Sequence, residues 1–269
     1  VRGRRHRPLA VRVRSLRRWL DSTPLAALAL DVMREATGRP DPLEPLRPMR
    51  AAALPARARI AFWSLAGGVG ASTVAALVAH RSAGAGRAPI LADLDRWAPS
   101  LGIRAGMQAA TVADALLRPG RERECLSRWS DVPFLPSAPG LHAIFDGQRV
   151  AEMIARVAGE APVVLDLGCG ADALDPTLLA FVDRLCVVAG PRTSQLQAAF
   201  CSVPLLGEAP CAVGLVTVAA VESDAERIAS RLPGPHLAAI PPDPYLAADD
   251  LGARAPTMNA IDRLIRACA

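Results

Sequence analysis

Residues 65–73, LAGGVGAST, set three glycines and two hydroxyls between an apolar run, RIAFWS at 59–64, and a stretch rich in alanine and valine. A glycine turn of this kind can converge successive backbone N–H groups on an anion, with the positive end of a helix dipole behind them. Phosphate is the anion it suits. Gly67, Gly68, Val69, Gly70 and Ala71 would then offer amides, and Ser72 and Thr73 would offer hydroxyls. Three acids stand at or near the ends of other apolar runs: Asp93 and Asp95 in PILADLDRW and Asp166 in PVVLDLGCG. With Ser72 they make a candidate oxygen-ligand set for Mg2+, a hard cation. One part is missing. Against the phosphate-loop pattern G-x-x-x-x-G-K-[ST], residues 65–72 match at Gly70 and Ser72, whereas Leu65 replaces the first glycine and Ala71 the lysine. On that pattern alone, the turn is as well explained as a glycine-rich strand-to-helix connection.

The elements that must hold these residues can be read from hydrophobic pattern. Strands are expected at Arg59–Leu65, Pro89–Ala92, Val132–Leu135, Val163–Leu167, Leu185–Ala189, Ala212–Val218 and Leu237–Ile240. Most are short continuous apolar runs, the pattern of parallel strands buried on both faces. Helical stretches fill the gaps at Ser72–Ser82, Gly147–Ala158, Thr193–Ser202 and Asp224–Leu232. Alternation of this kind predicts a doubly wound, mostly parallel α/β sheet flanked by helices, with its ligand site at the carboxyl ends of the strands. Ahead of it, residues 1–18 form a basic arm. A helix is expected from Pro24, capped by Thr23, to Gly38. Residues 39–58 hold five prolines and are expected to be a linker. The division is therefore 1–58, arm, short helix and linker, and 59–269, the α/β domain.

Charge and composition narrow the function. All 31 basic residues are arginine, and eight of them lie in residues 1–18 without an acid. The other 23 arginines face 26 acids, a net charge of −3 for the rest of the chain. The overall +5 thus comes from one arm, and a generally basic nucleic-acid surface is not implied. The six cysteines form no C-x-x-C pair, and Cys186 and Cys211 sit in apolar runs, as expected of reduced, buried thiols in a cytosolic protein. The four histidines lack metal-ligand spacing, so no metal cluster is expected. No apolar run reaches the roughly 18–20 residues of a membrane-spanning helix, and no hydrophobic segment of a secretory signal follows the arm.

Taken together, AGGVGAST at 66–73, the D-x-D of Asp93 and Asp95, Asp166 and the turn IPPD at 240–243 resemble, in order and spacing, the MinD/ParA superfamily of deviant Walker ATPases, whose loop is K-G-G-V-G-K-[ST]-T. The resemblance covers about residues 58–269. It implies ATP or ADP with Mg2+ as cofactor and a role for Asp95 in positioning the attacking water. It makes Asp166 the Walker B aspartate, and puts Pro241 and Thr217 beside adenine, Thr217 where the family has asparagine. The departures are specific. The signature lysine, which reaches across the family's nucleotide-sandwich dimer, is Ala66, and the Walker lysine is Ala71. Cations on the transferred phosphoryl group contribute about 10³–10⁵ in rate, so efficient hydrolysis is not expected and the cofactor could be absent altogether. Arg96 or Arg192 could supply replacement charge.

Absence of both lysines resembles the atypical CpaE/TadZ pilus-assembly branch and the BcsQ-like branch of cellulose secretion. The first usually carries a receiver-like domain ahead of the loop domain, for which about 58 residues are too few; the layout favours the second and the loop the first. What this implies is a localisation or assembly scaffold for a pilus or surface-secretion apparatus, a pseudo-ATPase whose partners are the proteins of that machinery. An active ATPase with displaced cations and a ParA-like partition protein are the alternatives. Any homodimer is expected not to depend on nucleotide. The arm could reach anionic lipid at the inner face of the membrane, with DNA the less favoured surface. At the C-terminus, Ile261, Leu264, Ile265 and Cys268 form an apolar stripe expected to pack on the core rather than on a membrane.

Overall fold

A computed structural model describes residues 51–219, 230, 234–247 and 251–269. The basic arm, the helix expected after Thr23 and, apart from Ser230, the helix expected at Asp224–Leu232 lie outside the described residues.

Among these residues eight strands form one sheet in the order β3-β4-β2-β5-β1-β6-β7-β8. They are β1 Arg59–Ser64, β2 Ile90–Asp93, β3 Ser127–Trp129, β4 Val132–Leu135, β5 Val163–Cys169, β6 Arg184–Ala189, β7 Ala212–Val218 and β8 His236–Ile240. All pairings are parallel except β3 with β4. The helices are α1 Ala71–Gly84, α2 Leu101–Arg104, α3 Val112–Leu116, α4 Gly147–Ala158, α5 Pro176–Leu179, α6 Thr193–Cys201, α7 Val203–Leu206, α8 Pro244–Ala247 and α9 Ala255–Ala267. Each strand expected from the sequence is present within a residue or two. The exception to legibility is β3, SRW, three residues with no apolar run, held only at the sheet edge opposite Pro133.

The sheet is buried on both faces by period-two alternation. Ile60 and Phe62 join Leu91, Val164 and Cys186 in the core shared with Val74, Leu77 and Val78 of α1 and Ile261, Leu264 and Ile265 of α9. Ala61 and Trp63 join Ala92, Leu165 and Val187 in the opposite core, with Met153, Ile154 and Val157 of α4. Three of the four stripe residues near the C-terminus are fully buried, and Cys268 is half-buried with its sulfur 3.8 Å from that of Cys186. The cysteines do not all follow the expected burial: Cys125 and Cys186 are buried, whereas Cys201 is exposed on α6.

Residues 51–58, the end of the proline-containing stretch, are seated on the domain. Ala52 and Leu54 are buried. The Ala52 N–H donates to Asp262 Oδ1 at 2.8 Å, and the Leu54 N–H to Ser82 Oγ at 3.0 Å. Arg81 adds a two-point pair with the fully buried Asp262, at 2.9 and 2.7 Å, joining α1 to α9.

β1 lies at the centre, with β5 and β6 on its two sides. The chain leaves β1 for β2 on one side, while β6, β7 and β8 extend the other. This reversal opens a crevice at the carboxyl end of β1, where open α/β sheets take their ligands.

Candidate functional site

The turn leaving β1 is built by backbone conformations open to glycine. Gly68 has φ +72° and Gly70 φ +97°, left-handed values that cost little only without a Cβ. Gly70 is the N-cap of α1 and gives that helix no side-chain cap. Caps are present at some helix starts, where Asp146 accepts from Arg149 N–H in α4 and Asp175 from Thr177 and Leu178 N–H in α5, while α2, α7 and α9 share the uncapped start of α1. A helix start normally leaves amides to be satisfied by side chains, water or ligand. In α1 no side chain takes that part. Gly67 and Gly68 are exposed, Gly70, Ser72 and Thr73 half-buried, and Val69 and Ala71 buried.

A cleft of about 310 Å³ opens beside the turn. Gly68, Val69, Gly70 and Thr73 line it on one side; Arg192 and Gln195 of the α6 end, Val218 and Ala219 after β7, and Pro241 and Asp243 after β8 line the other. Gln195 ties the two sides together: its Nε2 donates to the Gly68 carbonyl at 3.4 Å and its Oε1 accepts the Arg192 N–H at 3.3 Å. Gly190 gives the Gln195 amide its room: a Cβ there would come 2.2 Å from Gln195 Oε1 and displace it. Asp243 stabilises the far wall, accepting from Tyr245 N–H, Arg254 N–H and the Thr257 hydroxyl.

The three acids meet on neighbouring strands, with Asp93 of β2 in register with Asp166 of β5. Their environments differ. Asp93 is fully buried and both its oxygens are occupied by backbone, Oδ1 by the Asp95 N–H at 3.1 Å and Oδ2 by the Leu101 N–H at 3.3 Å. Burial, with the Asp166 charge beside it, pushes its carboxyl well above the usual carboxylate range. Asp95 Oδ1 accepts from Trp97 and Ala98 N–H, both at 2.9 Å. Its carboxylate lies over Gly168, where an added Cβ would be 2.4 Å from Asp95 Cγ. Asp166 Oδ1 accepts from the Gly168 N–H at 3.0 Å, but Oδ2 is buried with no hydrogen-bond partner. Burial pushes the Asp166 carboxyl up to about 6, opposed by the nearby Ser72 hydroxyl and the Gly168 N–H.

Among the described residues, no group of three or more acidic, histidine or cysteine side chains is placed to hold a metal ion. Asp93 anchors the turn into α2 by accepting one backbone N–H on each oxygen, whereas Asp166 keeps a buried oxygen without a hydrogen-bond partner. Ser72 lies beside Asp166. An unpartnered, buried carboxylate oxygen beside a hydroxyl fits Mg2+, which takes one or two protein oxygens and fills its other positions with water and phosphate.

Thr217 also departs from expectation. It is fully buried at the end of β7, and its hydroxyl lies 3.2 Å from the His236 ring Nε2. The next two residues, Val218 and Ala219, line the cleft in its place. Pro241 does line it. Of the two candidate replacement cations, Arg96 packs its guanidinium 4.3 Å from the centre of the Phe145 ring, with Asp172 at 4.0 Å. Arg192 is exposed at the cleft mouth. A third arginine, which sequence reasoning missed, contacts the loop itself: Arg104 Nη1 donates to Thr73 Oγ1 at 2.7 Å. Nothing in its local sequence distinguishes it from the other arginines. Gln195 was equally unmarked, and only the IPPD turn pointed towards Asp243.

No protein-family model matches this sequence, and no curated protein matches it at a significant level. Solved structures do match. A ParA family ATPase from Chlorobium tepidum is 20% identical with a TM-score of 0.64, over 78% of this chain and 98% of that one. The septum site-determining protein MinD from Pyrococcus horikoshii, complexed with Mg-ADP, is 21% identical with a TM-score of 0.63, over 77% and 94%. MinD in the MinC:MinD cell division complex of Aquifex aeolicus is 17% identical with a TM-score of 0.61, over 78% and 95%. The protein has the MinD/ParA fold, an eight-stranded, mostly parallel sheet with helices on both faces.

Proposed function

We propose that this protein is a MinD/ParA-fold nucleotide-binding scaffold that does not hydrolyse its nucleotide, and that it places or assembles a pilus or surface-secretion apparatus. The observation that carries the first half is the pairing of a complete backbone cradle with a loop that has no lysine. Gly68 and Gly70 hold the left-handed turn and α1 begins without a side-chain cap, while Ala66 and Ala71 stand at the lysine positions. In the cradle, the amides at the start of α1 would meet phosphate, Pro241 and the chain after β7 would flank the base, and Ser72 and Asp166 would hold Mg2+. Bound there, the ion would neutralise phosphate charge next to Asp166. Asp95 occupies the water-positioning place, but its Oδ1 is committed to two backbone amides, and neither lysine position of the loop carries a cation to stabilise a transferred phosphoryl group.

The scaffold half rests on the resemblance to the lysine-lacking branches. Partners are then proteins of the apparatus, and one solved structure of this fold is a MinC:MinD cell division protein complex. Without a lysine at residue 66 to cross an interface, any homodimer would form independently of nucleotide. The eight arginines of residues 1–18 recruit the chain to anionic lipid at the inner face of the membrane, each contributing about 1 kcal/mol near such a surface. The slightly acidic remainder disfavours DNA. Among the described residues, no helix is long and apolar enough to cross a membrane.

Steady-state phosphate release by the purified full chain with Mg-ATP tests the reading. The expected rate is indistinguishable from a protein-free blank. Turnover that disappears in Asp95→Ala would establish an active ATPase and overturn the proposal.

A further inference from the structure

A loop stripped of both lysines still has a guanidinium against it. Arg104 is the last residue of α2, and α2 is fixed from two directions. Leu101 is fully buried and donates its N–H to Asp93 Oδ2, and Gly102 packs tightly on Pro136, where an added Cβ would be 3.3 Å from Pro136 Cβ. From this platform the half-buried Arg104 side chain reaches Thr73 Oγ1 at 2.7 Å. Thr73 is a lining residue of the cleft, next to Gly68 and Gly70. A hydroxyl oxygen that accepts from arginine keeps its own proton to give. Arg104 has only donors, so Thr73 cannot donate back to it, and the hydroxyl proton is left for another acceptor.

We infer that Arg104 is a positioning residue for phosphate: it sets the Thr73 hydroxyl as a donor towards the phosphate of a nucleoside di- or triphosphate in the cleft and brings to the loop a positive charge that its lysine positions lack. The inference rests on the cleft being a nucleotide site. It gives Asp93 a purpose, since the acid whose two oxygens accept backbone N–H groups holds the helix that carries the arginine. It also assigns the replacement cation to neither Arg96, turned to Phe145 and Asp172, nor Arg192 at the exposed mouth.

Titration calorimetry of the full chain with ADP and with adenosine separates this from a purely structural role. Arg104→Met is expected to weaken ADP about tenfold or more, the scale of one charge-assisted hydrogen bond, and to leave adenosine unchanged. It should also flatten the salt dependence of ADP affinity. Arg104→Lys restores part of the loss. Thr73→Val weakens ADP by a similar factor, and adding Arg104→Met to it costs little more, because the two act through one contact. Unchanged ADP binding in Arg104→Met, or a parallel loss of ADP and adenosine, would remove the assignment while leaving the nucleotide cleft intact. A wild-type chain that binds neither compound would overturn the cleft reading and this inference with it.

Discussion

At its Gly84 end, α1 holds Arg81 in a two-point pair with Asp262, and Asp262 also accepts the Ala52 N–H. At its Ala71 end, an arginine, a hydroxyl and an acid gather again, but Arg104 contacts Thr73 and the buried Asp166 Oδ2 has no partner. Both acids are buried. A buried carboxylate is expensive unless it is paired and hydrogen-bonded. Asp262 meets that condition within the chain, whereas Asp166 responds by taking up a proton more readily, with its carboxyl at about 6. The contrast separates a joint that is finished on folding from a site that is finished only by something added.

The largest effect should come from breaking the finished joint. Asp262→Ala leaves the half-buried Arg81 without its acid and takes the acceptor from Ala52. Losses of this kind run to about 3 kcal/mol or more. Urea unfolding should show the drop, and a change below about 1 kcal/mol would mean that α1 and α9 are held by apolar packing alone.

Asp166→Asn should act in the opposite direction at neutral pH. The folded-state pKa of about 6 lies above the unfolded value of about 3.9. Folding therefore favours the protonated acid: its stabilising contribution is complete below pH 4 and is lost as pH rises through 6. Above pH 6 the charged form costs on the order of 2–3 kcal/mol, and the asparagine variant should be more stable than wild type by an amount approaching that. The advantage should vanish near pH 4. Asp93 adjoins Asp166 and titrates with it, so the midpoint belongs to the pair. A stability difference independent of pH between 4 and 7 would show that Asp166 is already compensated and erase the contrast between the two ends of α1.

The smallest effect tests whether burial or geometry makes the joint. Arg57 and Glu160 also form a two-point pair, but both side chains are largely exposed. Glu160→Gln should leave the unfolding midpoint within measurement error, as exposed pairs generally do. A clear loss there would shift the explanation of the Arg81–Asp262 joint from burial to geometry.

Much of the frame was legible from residue order. Continuous apolar runs marked β1, β5, β6 and β7, and glycines 67, 68 and 70 marked the turn into α1. The three residues of β3 carry too little pattern to be seen, since an edge strand is defined by its partner. Thr217 was placed beside the base by the family resemblance, yet its hydroxyl lies 3.2 Å from the ring of His236 on the neighbouring strand. The acids were found as a set because each ends or follows an apolar run. Their separate tasks were not visible, because Asp93, Asp95 and Asp166 look alike until their oxygens are assigned to Leu101, Trp97, Ala98 and Gly168.

The sequence by itself determined the parallel sheet, the glycine turn and the absence of lysine from it, because hydrophobic period and the backbone freedom of glycine depend on near neighbours. Only the tertiary structure decided which charges remain uncompensated. The order β2-β5-β1 sets Asp93 beside Asp166 and brings Arg104 to Thr73, 31 residues away in the chain. Electrostatic and hydrogen-bond satisfaction are properties of distance in space, and those distances do not exist until the strands have paired.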